Sequence, residues 1–390
     1  MNFLAKTYQL LALTINFIAG GLLLISAYSY LIPPDRFSLP YFFTLAFPVF
    51  FFIEILLLLQ IFIRPRKYVL LPIAFLLLSF QAVQNYFPTH FEGKDNKMGK
   101  ISLLSYNIRS FVQSKPTDNG KSNTVLDLLR NSGADIICLQ EYNTVPSGSN
   151  HQLSQKMVEK VLSDYPYHHV FKPTPWNSGI ACFSKYPFKN IEPIPFDRSQ
   201  NGACLYQFDI DGKSFSLINC HLESNHLEPK DRELYEQIAK NPTQSTDLLP
   251  QAKSRLLGKL KRAGTERAKQ ARLIRQIADG ITGAVVICGD FNDTPQSYAY
   301  RKIRDDFSDA YVSTGFGPGI TYNEQGFWFR IDHILYNNVL RAVDSRIVRQ
   351  KHSDHYPLRA TLQWNVQCLI LHGMGYTASP DVGNNIKHFP

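Results

Sequence analysis

The sequence predicts an α/β domain built from mixed β-sheets, preceded by an apolar N-terminal region. Three long apolar stretches occupy residues 1–89, whereas from residue 101 onward short strand-like runs alternate with helical patterns. Polar clusters follow the apolar run in some strands and precede it in others, so strands of opposite direction would bring their clusters to one edge. An all-parallel doubly wound sheet is therefore disfavoured, and a mixed or antiparallel sandwich is expected.

Residues 1–89 are predicted to form a membrane region with three transmembrane helices. The apolar stretches at residues 8–32, 41–63 and 68–86 each approach or exceed the roughly 20 residues that a helix needs to cross a bilayer. A cleaved secretory signal is the alternative for the first stretch, but two further apolar stretches follow it at once. A multi-pass integral membrane protein is therefore expected.

Basic residues set the expected orientation of this region. Arg64, Arg66 and Lys67 crowd the second connection, whereas the first connection carries only Arg36. Because Lys and Arg favour the cytoplasmic side, the N-terminus and the second connection are predicted to be cytoplasmic. Three spans then place the rest of the chain on the extracytoplasmic side of what would be a bacterial-type inner membrane.

The remaining chain divides into a polar linker (residues 90–100), a globular domain (101–365) and a C-terminal extension (366–390). Helical periodicity marks three segments of the domain, and a polar insertion covers residues 223–264. The dipeptide Asp211-Gly212 predicts a hairpin turn. Helices are expected at residues 122–131, 152–162 and 265–279. Strands are expected at residues 101–106, 134–139, 169–172, 178–184, 215–219, 284–288, 334–336 and 358–364.

Six polar clusters stand at the ends of these predicted strands. Each cluster alone is an ordinary strand end or turn, and a single buried polar group is usually only hydrogen-bonded. Six clusters of ligands, bases and phosphate partners that converge on one edge meet the criteria for an active site. The candidate residues are Asn107, Glu141, His221, Asp290, Asn292, Asp332, Asp354 and His355.

The carboxylate and amide side chains among these candidates indicate a divalent metal site. The anionic oxygens of a phosphate ester repel an attacking hydroxide, so hydrolysis first requires positive charge. Mg²⁺ supplies this charge when it is held by one or two carboxylates and several waters. Glu141 and Asp354 are the predicted carboxylate ligands, Asn107 adds an amide oxygen or holds a bound water, and Mn²⁺ is an alternative ion.

The other five candidates are predicted to act on the ester and the attacking water. Asp290 either joins the metal site or accepts a proton from the water, and Asn292, two residues later, points the same way. His355 and His221 can donate hydrogen bonds to a developing oxyanion or act as general acids. Asp332 would hold the imidazole of His355 in the right tautomer.

Charge and cysteine spacing narrow the expected partners. The formal net charge is +9, and residues 253–275 carry nine basic residues against one acid, Glu266. Such a face could bind nucleic acid or anionic lipid head groups, although a solvated helix surface explains it equally well. The six cysteines show no CxxC spacing, so neither a zinc site nor a redox pair is indicated.

The segment from about residue 100 to residue 364 resembles the endonuclease/exonuclease/phosphatase superfamily, which includes DNase I-like nucleases, abasic-site endonucleases, sphingomyelinases and inositol polyphosphate phosphatases. The resemblance implies a four-layer α/β sandwich, in which two packed mixed sheets are flanked by helices and the site lies at one edge. It also assigns roles to the candidates: metal site for Asn107 and Glu141, phosphate contact or acid for His221, water activation for Asp290 with Asn292, and a closing acid and histidine group for Asp332, Asp354 and His355.

Two departures from the family pattern do not affect the expected reaction, but they leave the substrate undetermined. His333 follows Asp332 where many relatives have an aromatic residue, and few relatives carry three membrane spans. The leading hypothesis is a membrane-anchored, Mg²⁺-dependent phosphodiesterase of the nuclease type. The enzymatic alternative is a lipid phosphodiesterase or phosphatase at the bilayer surface, where Trp176, Phe188 and Phe196 would enter the interface. A membrane-tethered binding module on an inactive hydrolase fold is disfavoured, because no candidate residue is missing.

Overall fold

The computed structural model describes residues 3–59, 70–90, 100–112, 123–145, 153–226, 231, 249–324 and 327–365. Most of the predicted linker, part of the polar insertion and the whole C-terminal extension (366–390) lie outside the described residues.

Five helices form the described part of the N-terminal region. They are Phe3–Tyr28 (α1), Leu39–Thr44 (α2), Phe47–Leu58 (α3), Leu70–Leu78 (α4) and Phe80–Tyr86 (α5). A small cluster of Leu23, Ala27, Phe47, Ala82 and Tyr86 is buried between α1, α3 and α5. The helices therefore pack on one another through a narrow apolar seam, while many of their other apolar side chains are exposed.

The prediction of three transmembrane helices is wrong for the described residues. Within the described ranges, only the segment Leu10–Leu31, with a mean hydropathy of 2.1, is long and apolar enough to cross a membrane. The second apolar stretch is interrupted between α2 and α3, and α3 has only 12 residues, fewer than the roughly 20 that a span needs. The third stretch is divided at Ser79, between α4 and α5. Hydropathy summed over a window does not detect such breaks in a helix.

Among the described residues, the globular domain contains two six-stranded sheets and a small hairpin. The first sheet consists, in spatial order, of Leu340–Ile347 (β13), Leu358–Trp364 (β14), Lys100–Asn107 (β1), Ile136–Tyr142 (β2), Gly179–Ser184 (β4) and Tyr167–Phe171 (β3). The second consists of Phe188–Pro195 (β5), Gly202–Ile210 (β6), Lys213–His221 (β7), Ala284–Asp290 (β8), Asp332–Tyr336 (β12) and Ser308–Asp309 (β9). Tyr322–Glu324 (β10) and Phe327–Phe329 (β11) form the hairpin.

Both sheets mix parallel and antiparallel pairs, which confirms the predicted mixed-sheet α/β sandwich. β1 runs parallel to β2 and β7 runs parallel to β8, whereas β14, β4, β6 and β12 are antiparallel to these neighbours. The β6–β7 hairpin turns at Asp211 and Gly212, whose φ values of 53° and 74° are those that a two-residue hairpin turn requires.

Alternating side chains bury both faces of each sheet. In β1, Ile101 and Leu103 point into the core between the two sheets, while Leu104 and Tyr106 pack against Thr124–Arg130 (α6) on the outer face. In β8, Val286 lies between the sheets and Val285 faces Leu249–Asp279 (α8). The layers therefore follow the order helix, sheet, sheet, helix.

The helices of the domain begin at side-chain caps or earlier than predicted. Asn123 accepts hydrogen bonds from the first turn of α6, and Ser154 caps Gln155–Val161 (α7). α8 starts at Leu249, whereas the predicted helix starts at Thr265. The prediction missed the first half of this helix because that half is too polar to show an apolar stripe. Two short helices, Tyr298–Arg304 (α9) and Ala310–Thr314 (α10), complete the domain.

The N-terminal helices contact the domain through specific polar pairs. Arg272 on α8 lies 2.7 Å from Asp35, and Arg304 on α9 donates to Asn85 Oδ1 at 2.8 Å. Gly264 on α8 packs against the ring of Tyr41, where a Cβ would lie only 3.0 Å from the nearest ring atom. The end of the helical region that carries residues 30–41 and 82–90 therefore faces the domain.

Candidate active site

All eight predicted site residues lie at one edge of the two sheets. The strands β1, β2, β7 and β8 end at this edge, and β12 begins there. The register sets His221 beside Asp290 on parallel strands and Asp290 opposite Asp332 on antiparallel strands. Residues that are 69 and 42 positions apart in the chain thus become neighbours through strand pairing alone.

Asp290 is the centre of the group. Its buried Oδ2 accepts a hydrogen bond from Asn107 Nδ2 at 2.9 Å and lies 3.6 Å from His221 Nε2 and 3.7 Å from His355 Nε2. Asn107 Nδ2 also donates to Glu141 Oε1 at 3.1 Å. One amide therefore connects the two sheets, because Asn107 and Glu141 belong to the first and Asp290 to the second.

Asp332 contacts the imidazole of His355. His355 Nδ1 lies 2.8 Å from Asp332 Oδ2, so Nδ1–H donates to the carboxylate and Nε2 is directed toward Asp290. Burial alone lowers the pKa of His355, but the carboxylates of Asp332 and Asp290 raise it to about 10. The geometry therefore favours a positively charged imidazole in a buried position.

The electrostatics of Asp290 reflect its position between two acids and two imidazoles. Desolvation raises the pKa of this carboxyl group, and the neighbouring Asp332 raises it further. His355, His221 and the hydrogen bond from Asn107 act in the opposite direction. The net shift is upward, toward the range in which a carboxylate accepts a proton more readily.

Two predicted residues lie beside this group and make different contacts. Asn292 donates from its backbone N to Asp290 Oδ1 at 2.8 Å and from Nδ2 to Leu222 O at 3.0 Å, which ties together the segments that follow β7 and β8. Asp354 lies 3.3 Å from Arg109 Nη1 and accepts from Ser353 Oγ at 3.1 Å. Their predicted roles as water-orienting group and metal ligand remain predictions.

The donor set at this edge fits a divalent cation. Among the acid and histidine side chains of the described residues, Asp290, Asp332 and His355 bring one oxygen or nitrogen atom each to within 4.8 Å of one another, and this group differs from the predicted ligands Asn107, Glu141 and Asp354. Because His355 is cationic, the two carboxylates are the metal donors of this group. In the described part of the chain, the buried atoms Asp332 Oδ1 and His221 Nε2 lack a hydrogen-bond partner. Oxygen-rich surroundings of this kind suit Mg²⁺ or Mn²⁺.

Unusual backbone conformations occur at the same edge. Gly289 has a φ of 138°, and a Cβ there would lie 1.8 Å from Cys220 O on the adjacent strand. Glu141 and Asn292 adopt φ values of 51° and 52°, which non-glycine residues rarely do. Such conformations concentrate at functional sites, where the surrounding structure fixes them.

Sequence reasoning missed several residues that support the site. Gln140 Nε2 donates to Asn219 Oδ1 at 2.7 Å, a fully buried bond that joins the two sheets directly behind Glu141. Thr321 Oγ1 accepts from the backbone N of Asp332 at 3.1 Å, and the ring of Tyr322 lies 5.1 Å from that of His355. Gln140 directly precedes Glu141 and Asn219 lies two residues before His221, so both stood beside predicted site residues. Thr321 and Tyr322 carry no local signal, because only tertiary structure brings them to the site.

Several solved structures are similar to this chain at low sequence identity. D. rerio TDP2 in complex with a single-strand DNA product is 15% identical, with a TM-score of 0.47 over 68% of this chain and 99% of the other. An endonuclease/exonuclease/phosphatase from Bacteroides vulgatus is 18% identical, with a TM-score of 0.47 over 68% and 99%. A family protein from Leptotrichia buccalis is 15% identical, with a TM-score of 0.46 over 68% and 100%.

The sequence matches two family profiles. One describes a domain of unknown function and covers residues 8–86. The other describes the endonuclease/exonuclease/phosphatase family and covers residues 104–355, more than half of the chain and every candidate site residue. No curated protein matches the sequence. Family members are typically dependent on a divalent metal ion and hydrolyse phosphate esters. The chain therefore belongs to the endonuclease/exonuclease/phosphatase family.

Proposed function

We propose that this protein is a membrane-anchored, Mg²⁺-dependent phosphodiesterase of the nuclease type. The observation that carries the proposal is the convergence on Asp290 of Asn107 at 2.9 Å and of two imidazoles, those of His221 and His355, at 3.6 and 3.7 Å. The carboxylate of Asp290 provides a base, and the two imidazoles beside it provide hydrogen-bond donors for one phosphate group.

In this proposal, Asp290 accepts the proton of the attacking water. His355, oriented by Asp332, stabilises the negative charge that develops on the phosphoryl oxygens, and His221 donates a second hydrogen bond from the neighbouring strand. Asn107 holds Asp290 and Glu141 in place. When bound, Mg²⁺ would add positive charge at the ester oxygens, held by Glu141 with Asn107 and Asp354.

Membrane attachment through the N-terminal region is supported by exposed apolar side chains. Leu10, Leu56 and Leu77, on three different helices, are 68%, 62% and 68% exposed, although they belong to strongly apolar helices. Exposed apolar surface on this scale indicates contact with a membrane or a protein.

A lipid phosphodiester is the second candidate substrate. Two connections between the N-terminal helices and the segments that leave the site favour it, because they hold the catalytic edge near the proposed anchor. Gln296 Nε2 donates to Ala82 O at 2.8 Å, and Arg267 donates both to the Tyr41 hydroxyl and to Glu223 O. Of the three aromatic residues expected at an interface, Trp176 is 92% exposed, whereas Phe196 is buried and Phe188 packs against the core. Only Trp176 is therefore available for such a contact.

A substrate panel tests both candidates. The purified full chain is offered plasmid DNA, phosphoinositides and sphingomyelin, each with Mg²⁺ and with EDTA. The proposal predicts Mg²⁺-dependent cleavage of DNA, cleavage of lipid alone would favour the second candidate, and no Mg²⁺-dependent product from any substrate would refute both.

A further inference from the structure

A cavity of about 540 Å³ lies between the N-terminal helices and the catalytic domain, away from the catalytic edge. Tyr30, Leu31 and Gln81 line it on the side of the N-terminal helices, and Arg301, Lys302 and Arg304 of α9 line it on the side of the domain. Its size exceeds what a single water or ion needs and falls within the range of small-molecule sites. The cavity is therefore large enough for a phospholipid head group.

Positive charge dominates the walls of this cavity. Asp305 is the one carboxylate among its lining residues, against three basic side chains. Arg304 is engaged with Asn85 Oδ1 at 2.8 Å, and the guanidinium of Arg301 stacks over the ring of Tyr30 at 4.3 Å. Within the described part of the chain, neither Arg301 nor Lys302 forms an ion pair with a carboxylate. An anion in the cavity would supply the missing negative charge.

The position of the cavity relative to the apolar segment suggests where that anion comes from. The segment able to cross a membrane, Leu10–Leu31, ends at the cavity wall, and Leu31 is 64% exposed. Phe80, which precedes Gln81 in the chain but is not one of the lining residues, is 55% exposed. Tyrosines and basic side chains at the end of an apolar span are typical of the head-group level of a bilayer. The cavity thus combines a cationic wall with apolar surface at its mouth.

We propose that this cavity binds an anionic phospholipid, with its phosphate between Arg301 and Lys302 and its acyl chains against Leu31 and Phe80. Basic pockets beside membrane helices recognise anionic head groups in this way. The inference rests on the proposed membrane attachment but not on the proposed hydrolysis. A bound lipid would fix α9, and with it the domain, at a defined height above the membrane.

Native mass spectrometry of the detergent-solubilised full chain tests this site. The chain is mixed with equal amounts of phosphatidylglycerol and phosphatidylcholine, and bound lipids are counted. The wild-type chain is expected to retain phosphatidylglycerol about tenfold more than phosphatidylcholine. The double variant Arg301→Gln/Lys302→Gln should lose this preference. Lys189→Gln/Arg198→Gln, which removes two exposed charges on and after β5 with the same change in net charge, should keep it.

Equal retention of both lipids by the wild-type chain would overturn the proposal. So would a control variant that loses the preference for phosphatidylglycerol as fully as the cavity variant does. Displacement of phosphatidylglycerol by millimolar inorganic phosphate would also overturn it, because the free ion would then be the ligand. Hydrolysis of a soluble phosphodiester by the same preparations separates this result from the proposed reaction. The cavity variant should keep wild-type hydrolysis, whereas a wild-type chain without hydrolysis would refute the reaction and leave the lipid count valid.

Discussion

Arg267 and Asp293 form a fully buried ion pair, with Nε 3.1 Å from Oδ2, three residues beyond Asp290. The same guanidinium donates to Glu223 O at 2.6 Å, two residues beyond His221, and to the hydroxyl of Tyr41. A single side chain of α8 therefore joins both segments that leave the catalytic strands to the N-terminal helices. Because a buried charge requires all of its partners, Arg267 positions these segments relative to each other.

The variant Tyr41→Phe tests this connection by removing one hydroxyl group. The loss of its bond to Arg267 should lower kcat roughly tenfold with little change in KM, because a small displacement of catalytic groups affects the reaction more than binding. Steady-state kinetics and thermal unfolding of the full chain provide the measurement. The matched control is Asp35→Asn, which breaks the 2.7 Å pair with Arg272 on the same helix and touches neither catalytic segment. Equal kcat values for the two variants would show that Tyr41 has no positioning role.

The role of Glu141 as a metal ligand predicts a change in the requirement for Mg²⁺. Glu141→Gln removes one carboxylate charge beside Asn107, so the Mg²⁺ concentration for half-maximal activity should rise roughly 10- to 100-fold. Titration of activity against Mg²⁺ after EDTA treatment measures it. The control is Glu159→Gln on α7, which removes a partly exposed carboxylate that pairs with His168 of β3. This variant should leave the Mg²⁺ requirement unchanged. An unchanged requirement in Glu141→Gln would exclude the residue as a ligand.

A buried ion pair behind the site predicts a pH-dependent stability. Asp309 Oδ2 lies 3.1 Å from Arg330 Nη1 and accepts from the Tyr300 hydroxyl at 2.8 Å. Burial alone raises the pKa of Asp309, but Arg330 and His333 hold it below its usual range. Since the folded-state pKa is depressed, the ionised carboxylate stabilises the fold above about pH 4, and this contribution is lost as the pH falls through the folded-state pKa.

Asp309→Asn should therefore lower the free energy of unfolding by about 3–5 kcal/mol near pH 7. The difference from the wild-type chain should shrink below about pH 4, because the carboxylate then becomes protonated in the unfolded chain while it stays ionised in the folded one. Thermal unfolding of both chains across this range provides the measurement, with the exposed Asp197→Asn as the control. A difference that is the same at both ends of the range would contradict the assigned ionisation.

The residues of the catalytic edge were predictable because each lies in the sequence directly beside the apolar run of its own strand. Short apolar runs define β1, β2, β7 and β8, and each is followed directly by its polar cluster, as in Asn107 or Asp290. The mixed sheet followed from the direction of these strands, since clusters that precede β12 and β14 must meet clusters that follow the others.

The contacts of the N-terminal region were not predictable, because they join residues far apart in the chain. Arg267 and Tyr41 are 226 positions apart, and nothing near either residue indicates the other. The ends of α2 at Thr44 and of α4 at Leu78, which divide the second and third apolar stretches, are likewise not revealed by composition. The early start of α8 was not predictable from periodicity, because charged residues obscure the apolar face of its first half.

The conservative variant Asp290→Asn tests the central claim most directly, because it keeps the shape of the site and removes its proton acceptor. Mg²⁺-dependent turnover of a phosphodiester by the purified full chain should fall by about 10²–10⁴-fold, while the exposed variant Asp209→Asn retains wild-type turnover. Turnover in Asp290→Asn within a few-fold of the wild-type value, in chains of equal thermal stability, would contradict the account.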